Sequence, residues 1–381
     1  MMKLTLLASA ALFAAQAAVA GGLDRSGQPI GIIFEKGNYA ELSFSSTTPS
    51  LTGVDVLTNP IANVGVSFTT LSGGLKYEFS DKFSMAIIAD QPYGVDVAYG
   101  GAPGTTMLGG TAASAETFSL TAVGRYKFSD RFSAHAGLRY QTINADVTLS
   151  GLAYGPLPPG ATLNTYNADM STGDGFGFLA GAAFEIPEYA MRVALTYNSE
   201  ITHQLSTLET IGGVQVAPIT DTEIKSPASI NLDFQTGINE RTLVFGSVRY
   251  AKWSDLVISP TFFDAAVDPV NPNSSISDLE DTWSFSLGVG RKVTDNLSVS
   301  AVLGYEPTGT DDLVSPLSPT NGSWSVGLGG RYTMDNVTLS GGIRYTMVGD
   351  ALPETGTPDT ARASFTGNDA LSLGFKVGFN F

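Results

Sequence analysis

Gly124-Arg-Tyr-Lys-Phe-Ser-Asp-Arg-Phe-Ser-Ala134 sets the pattern of this 381-residue chain. Apolar and polar residues alternate into a Ser-Asp turn and alternate again out of it. A period of two marks a strand with two unlike faces. Ser and Asp close such turns because their side chains bond nearby backbone. The unit recurs as Gly74-Leu-Lys-Tyr-Glu-Phe-Ser-Asp-Lys-Phe-Ser-Met85, as Gly290-Arg-Lys-Val-Thr-Asp-Asn-Leu-Ser-Val299 and as Gly330-Arg-Tyr-Thr-Met-Asp-Asn-Val-Thr-Leu339. Looser copies are Phe184-Glu-Ile-Pro-Glu-Tyr-Ala-Met191 and Thr236-Gly-Ile-Asn-Glu-Arg-Thr-Leu243.

The faces separate cleanly around these turns. In 323–334, Trp324, Val326, Leu328 and Tyr332 oppose Ser323, Ser325 and Arg331; in 336–348, Val337, Leu339, Ile343, Tyr345 and Met347 oppose Thr338, Ser340, Arg344 and Thr346. In 116–128, Phe118, Leu120, Ala122, Tyr126 and Phe128 oppose Thr117, Ser119, Thr121 and Arg125. Six hairpins follow, at 68–79/82–92, 116–128/131–147, 175–186/189–203, 226–238/242–258, 282–293/296–306 and 323–334/336–348. An alternating segment at 38–45 and another at 371–381 complete fourteen strands. Six short turns interleave with seven long links, at 48–66, 93–115, 148–174, 204–225, 259–281, 307–322 and 349–368.

That asymmetry is what a transmembrane β-barrel shows: short turns on the periplasmic side, long links outside, an even strand count. Lipid offers the backbone no hydrogen bonds, so a sheet that crosses it must close. A soluble sandwich or propeller would alternate too, but would not need a last strand with Leu373, Phe375, Val377, Phe379 and Phe381 on one face. Tyr140, Tyr250, Trp253, Trp283, Trp324 and Tyr345, near strand ends, fit an interfacial girdle. The expected fold is all-β: a 14-stranded antiparallel transmembrane barrel with a short N-terminal hatch inside the bore.

Composition agrees. Charged residues are only 15% and Gly numbers 43, which favours strands and turns over coiled coils. No run of 18 apolar residues follows residue 20, so no spanning helix is expected. A formal net charge of −16 without a basic run argues against nucleic acid. With no Cys and two His, disulfides, thiolate sites and a His-built zinc site fall away.

Residues 1–20, MMKLTLLASAALFAAQAAVA, carry a basic Lys3, an apolar stretch and an Ala18-Val19-Ala20 cleavage pattern, the form of a secretory signal peptide. Residues 21–37 follow as a hatch or plug: Ile30, Ile32, Ile33 and Phe34 are too apolar for a bare tail, and a fourteen-stranded bore has room for them. Residues 38–381 form the barrel.

Inward positions are mostly Ser, Thr and Gly, with recurring arginines at Arg125, Arg139, Arg249, Arg331 and Arg344. Acidic residues gather in the links instead, at Asp264, Asp268, Asp278, Glu280, Asp281, Asp311 and Asp312. A guanidinium grips a carboxylate with two hydrogen bonds. These five, with Arg25, Phe34 and Lys36 of the hatch, are the candidate ligand contacts for an anionic amphiphile; the competing reading pairs each Arg with a lumen carboxylate. His135 with Ser133, and His203, show no catalytic spacing. Asp278-Leu-Glu-Asp281 matches no dedicated calcium loop. No enzyme activity, metal or cofactor is expected.

The chain resembles the FadL/TodX family of outer-membrane channels for long-chain fatty acids and other hydrophobic compounds. The resemblance covers 21–381 and rests on the strand count, the plug, Gly37-Asn-Tyr-Ala-Glu-Leu-Ser-Phe44 and the apolar-Ser-Asp-x-apolar-Ser turns. It implies a monomeric barrel in the outer membrane of a Gram-negative bacterium, an N-terminal hatch, an apolar ligand path, and passage through a gap in the wall. The family's hatch commonly carries Asn-Pro-Ala; 21–37 has none, and Asn59-Pro60-Ile61 lies in the first long link. The expected function is passive uptake of hydrophobic or amphipathic small molecules, such as long-chain fatty acids or hydrocarbons. The alternative is a general or anion-preferring porin. Lipid and lipopolysaccharide are the other expected partners.

Overall fold

A computed structural model describes residues 22–155, 162–268, 274–356 and 359–381; the signal segment expected at 1–20 lies outside the described residues. Fourteen antiparallel strands close into a barrel. They are β1 (Tyr39–Ser50), β2 (Phe68–Glu78), β3 (Phe83–Asp90), β4 (Ala112–Lys127), β5 (Phe132–Leu149), β6 (Tyr166–Ile186) and β7 (Met191–Asn198). There follow β8 (Ser229–Asn239), β9 (Thr242–Ala251), β10 (Thr282–Lys292), β11 (Leu297–Glu306), β12 (Ser323–Met334), β13 (Val337–Val348) and β14 (Asn368–Asn380). Each pairs with its neighbour in sequence, and β14 returns to β1, with Tyr39 opposite Asn380 and Ser50 opposite Asp369. Closure pairs every strand on both sides over most of its length, as lipid demands.

Outward residues are apolar and bare: Leu42, Leu71, Leu138, Phe176, Leu328 and Leu373 are each more than half exposed. Inward Ser119, Thr121, Ser340 and Thr346 are buried. Aromatic rings mark both rims. On the short-turn side Tyr77–Phe79, Tyr126–Phe128, Phe132–Phe184 and Phe379–Phe381 pack as pairs. On the other side Tyr250, Trp283, Phe285, Tyr305 and Trp324 form a continuous row.

Trp253 departs from the expected girdle. β9 ends at Ala251 rather than near 258, and a 3-10 turn, Trp253–Asp255, swings the indole inward, 2% exposed and 5.2 Å from the Tyr93 ring. Several strands also outrun their expected ends. β6 starts at Tyr166, β7 continues as Ile201–Ile211, and Thr220–Ser226 pairs back onto that extension, so the links expected at 148–174 and 204–225 are partly strand.

β5 shows why. Its outward residues run Phe132, Ala134, Ala136, Leu138, Tyr140 and then Thr142, Asn144, Asp146; its inward ones run Ser133, His135, Arg139, Gln141 and then Ile143, Ala145, Val147. The alternation changes sign where the strand leaves lipid for water. Above that level the barrel has an ordinary apolar interior.

Candidate functional site

Residues 22–38 run down the inside of this barrel. Ile30, Ile32 and Ile33 pack against Tyr39, Ala86, Ile88, Val123 and Leu179. On β3 and β4, Ala86, Ile88 and Val123 are apolar where the flanking inward residues Ser84, Asp90, Thr121 and Arg125 are polar. Gly74 leaves room for the turn: a Cβ there would lie 2.6 Å from Ile32 Cδ1.

Polar contacts fix the segment at two heights. In its upper part the buried Asp24 carboxylate takes Arg249 Nε at 2.6 Å and the Gly27 N–H at 2.8 Å. Arg249 Nη1 donates to Asn231 Oδ1 at 2.7 Å and Ser229 Oγ at 3.0 Å, while Asn231 Nδ2 donates to the Gly27 carbonyl at 2.7 Å. Ser26 Oγ reaches Asp90 at 2.8 Å, and Arg25 Nη2 reaches Asp96 at 2.6 Å. In its lower part the Phe34 ring sits between the guanidiniums of Arg125, at 4.6 Å, and Arg192, at 4.4 Å. Arg125 also pairs with Glu185.

The wall beside the upper contacts is interrupted. β2 and β3 are laddered only from Gly73–Ala89 downward, so Phe68–Ser72 keep β1 as a partner but lack β3. β3 stops at Asp90. Pro92 has no N–H to offer a ladder and restricts the residue before it, so Gln91-Pro92 turns the chain inward. The Pro92 carbonyl accepts the Arg25 N–H at 2.8 Å, and Tyr93 bridges to Asp24. Across the break the Leu71 N–H finds the Gln91 side chain at 2.9 Å. The wall reseals above at a bridge between Gly65 and Val97. The result is a window bounded by Phe68–Ser72 and Gln91–Val95.

Among the described residues, three cavities meet the start of the hatch, at 22–26. The first is bounded by Leu23 below, by Val95, Ile143, Ala145, Val147 and Ile224 at the wall, and by Trp253, Leu256, Ile258 and Leu279 above; no charged residue lines it. The second shares Val95 with the first and lies behind the window, between Val66, Phe68 and Val97 and the hatch residues Asp24 and Arg25. The third has a mixed lining: six hydroxyl side chains, Gln91, Arg25 and Arg344, beside Phe44, Ile343 and Leu373.

The link after β9 roofs the first cavity. Its helix, Thr261–Val267, is held at its N-terminal end by the fully buried Glu209, which accepts the N–H groups of Phe262 at 2.8 Å and Phe263 at 2.9 Å and the Tyr166 hydroxyl at 2.8 Å. Asp281 accepts the Tyr250 hydroxyl and the Ser254 N–H, and Glu280 binds Thr310. Among the described residues no three His, Asp or Glu side chains gather as metal donors. Elsewhere in the links, burial alone would raise the Asp55 carboxyl, but hydrogen bonds from Asn59, Met107 and Leu57 outweigh it and hold the group below its ordinary value. Glu354 goes the other way: burial, with the Asp359 charge adding to it, pushes it up to about 7.

Of the eight residues read from the sequence, Arg25 and Arg344 line cavities. Phe34, Arg125 and Arg249 hold the hatch. Arg139 is buried and donates to Thr121 at 2.9 Å, away from the cavities. Arg331 is half-buried on β12, and Lys36 is exposed at the short-turn mouth. Sequence reasoning missed the cavity residues proper, above all Leu23, Tyr93, Ile224 and Trp253. The signal was there in the sign change along β5.

A plugged barrel with a window and an apolar interior above it calls for comparison with channels of that build. The sequence profile of the outer membrane protein transport proteins (OMPP1/FadL/TodX) matches residues 5–318. The chain belongs to this family. No curated protein matches the sequence. Among solved structures, a Pseudomonas aeruginosa FadL homologue is 17% identical and superposes with a TM-score of 0.70 over 97% of this chain and 98% of that one. The Pseudomonas putida toluene transporter TodX is 14% identical, with a TM-score of 0.63 over 97% and 100%. The Ralstonia pickettii toluene transporter TbuX is 13% identical, with a TM-score of 0.60 over 91% and 90%. At these identities the likeness is one of fold. As a family member the chain is an outer-membrane transport barrel.

Proposed function

We propose that this FadL/TodX-family barrel carries small hydrophobic or amphipathic molecules by diffusion from the outer surface into the first cavity, on to the second, and sideways through the window into the bilayer. The reading rests above all on one observation: an apolar cavity with no charged residue in its lining adjoins another that abuts a break in the wall. An apolar solute is held back by the polar outer leaflet, and burial of its surface drives it into such a space. The crystallised relatives TodX and TbuX, described as toluene transporters, suit the same class of cargo. Residues 1–20 act as the export signal and 21–37 as the plug of a monomer in a Gram-negative outer membrane, bathed by lipid and lipopolysaccharide. Of the candidate contacts, Arg25 and Arg344 face cargo, while Phe34, Arg125 and Arg249 serve it by seating the plug.

Two readings rank below this one. A general porin needs an open bore, and the hatch contacts disfavour it. An enzyme needs a nucleophile joined to its base; Ser133 instead accepts from Arg125 at 3.0 Å and His135 bonds Thr196 at 2.9 Å. Uptake of a labelled alkylbenzene by cells with and without the protein tests the proposal, together with Ala145→Trp, which fills the first cavity. Faster uptake with the native chain, lost in the variant, is expected. Equal uptake in all three strains, or a steady large single-channel conductance, sinks it.

A further inference from the structure

Arg25 is where cargo leaving the first cavity meets charge. Its guanidinium packs over the Phe68 ring at 4.2 Å, at the window's edge. On the other side it rests on Gly94, where a Cβ would fall 2.3 Å from Cζ. Phe68 and Gly94 therefore hold the guanidinium in place by shape. Its charge is answered separately, by Asp96 at 2.6 Å, with side chains 4% and 20% exposed. Nearby Asp24 is answered in the same way by Arg249 at 2.6 Å. The charges along the second cavity cancel in pairs, and the first cavity carries none.

Asp96 bonds Nη2 and leaves the buried Nε without a partner, but it balances the charge, so a carboxylate entering this path meets no uncompensated cation at Arg25. Left unpaired away from water, it must be neutralised or stay out. An uncharged molecule meets no such barrier. We propose that the Arg25–Asp96 pair sets the charge class of the cargo: the path accepts uncharged hydrophobes and rejects carboxylates, and Asp96 is the specificity-determining residue. This proposal runs against the expectation of an anionic amphiphile, and it rests on the transport reading above.

The test uses the full barrel in detergent, in a Trp283→Phe/Trp324→Phe background, so that Trp253 in the first cavity reports binding by fluorescence. Ethylbenzene and 4-ethylbenzoate are the probes. The native path should bind ethylbenzene and take ethylbenzoate about tenfold more weakly or worse. Asp96→Asn, which frees Arg25, should narrow that gap about tenfold. The double variant Arg25→Gln/Asp96→Asn, neutral again, should restore it. Equal binding of both probes by the native path overturns the charge rule and leaves transport standing. So does ethylbenzoate binding that persists in the double variant, which would point to Arg344 in the third cavity. An unchanged gap in Asp96→Asn overturns the role of Asp96; if that variant does not fold, Asp96→Ser takes its place. A native barrel that binds neither probe overturns the transport reading, and the charge rule with it.

Discussion

The two halves of the bore are built on opposite principles. The lower half, around the hatch, is a set of directional contacts: Asp24 with Arg249, and Phe34 between Arg125 and Arg192. The upper half is the apolar cavity under Trp253 and Leu256, whose walls offer few hydrogen bonds. A plug must hold one position, and buried ion pairs that are fully hydrogen-bonded specify position strongly because a broken one leaves a charge stranded. A path must hold nothing for long. Apolar contact is non-directional, so cargo can slide along it. The proposed transport depends on placing the rigid half beneath the permissive one.

Arg249→Ala attacks the plug hardest. It strands the Asp24 carboxylate, at a cost of about 3–5 kcal/mol. Planar-bilayer recording should then turn a mostly closed barrel into a conducting one; a variant as quiet as the native protein would mean that the pair does not hold the hatch. Phe34→Ala should act in the same direction with less force. Each cation–π contact contributes about 0.5–2 kcal/mol, so brief openings are expected in place of sustained current, and none at all would place the seal elsewhere.

The smallest effect lies in the links above the barrel. The folded Glu354 holds its proton up to about 7, above the ordinary carboxyl value. The folded chain thus binds more protons than the unfolded one between those pH values, and its stability falls as pH rises through that window. Limited proteolysis of the links should run faster at pH 8 than at pH 5, and Glu354→Gln should flatten the difference. An unchanged pH dependence in the variant would assign it to another group.

Much of the barrel was legible in sequence because a strand in lipid has two unlike faces and a period of two. Hairpins such as Gly124–Ala134 therefore announced themselves, and the inward arginines fell where alternation put them. The strand ends were misread for the same reason. Above the lipid the alternation continues with reversed sign, as at the start of β6, where Tyr166, Ala168 and Met170 face in and Asp169 faces out, and a reading tuned to outward apolar residues counts that stretch as a link. Trp253 was misplaced because an aromatic beyond a strand end looks the same whether its turn faces lipid or lumen.

Sequence by itself determined the number of strands, which face of each meets lipid, and the presence of an apolar segment ahead of the first. Those properties are local, each set by residues a few positions apart. Which arginine answers which carboxylate was decided only by tertiary structure. Arg249 meets Asp24, and Arg25 meets Asp96, across long stretches of chain once the barrel closes. The window, too, exists only when the bend at Pro92 finds the hatch to bond with. Such pairings depend on distances in space, which no spacing along the chain encodes.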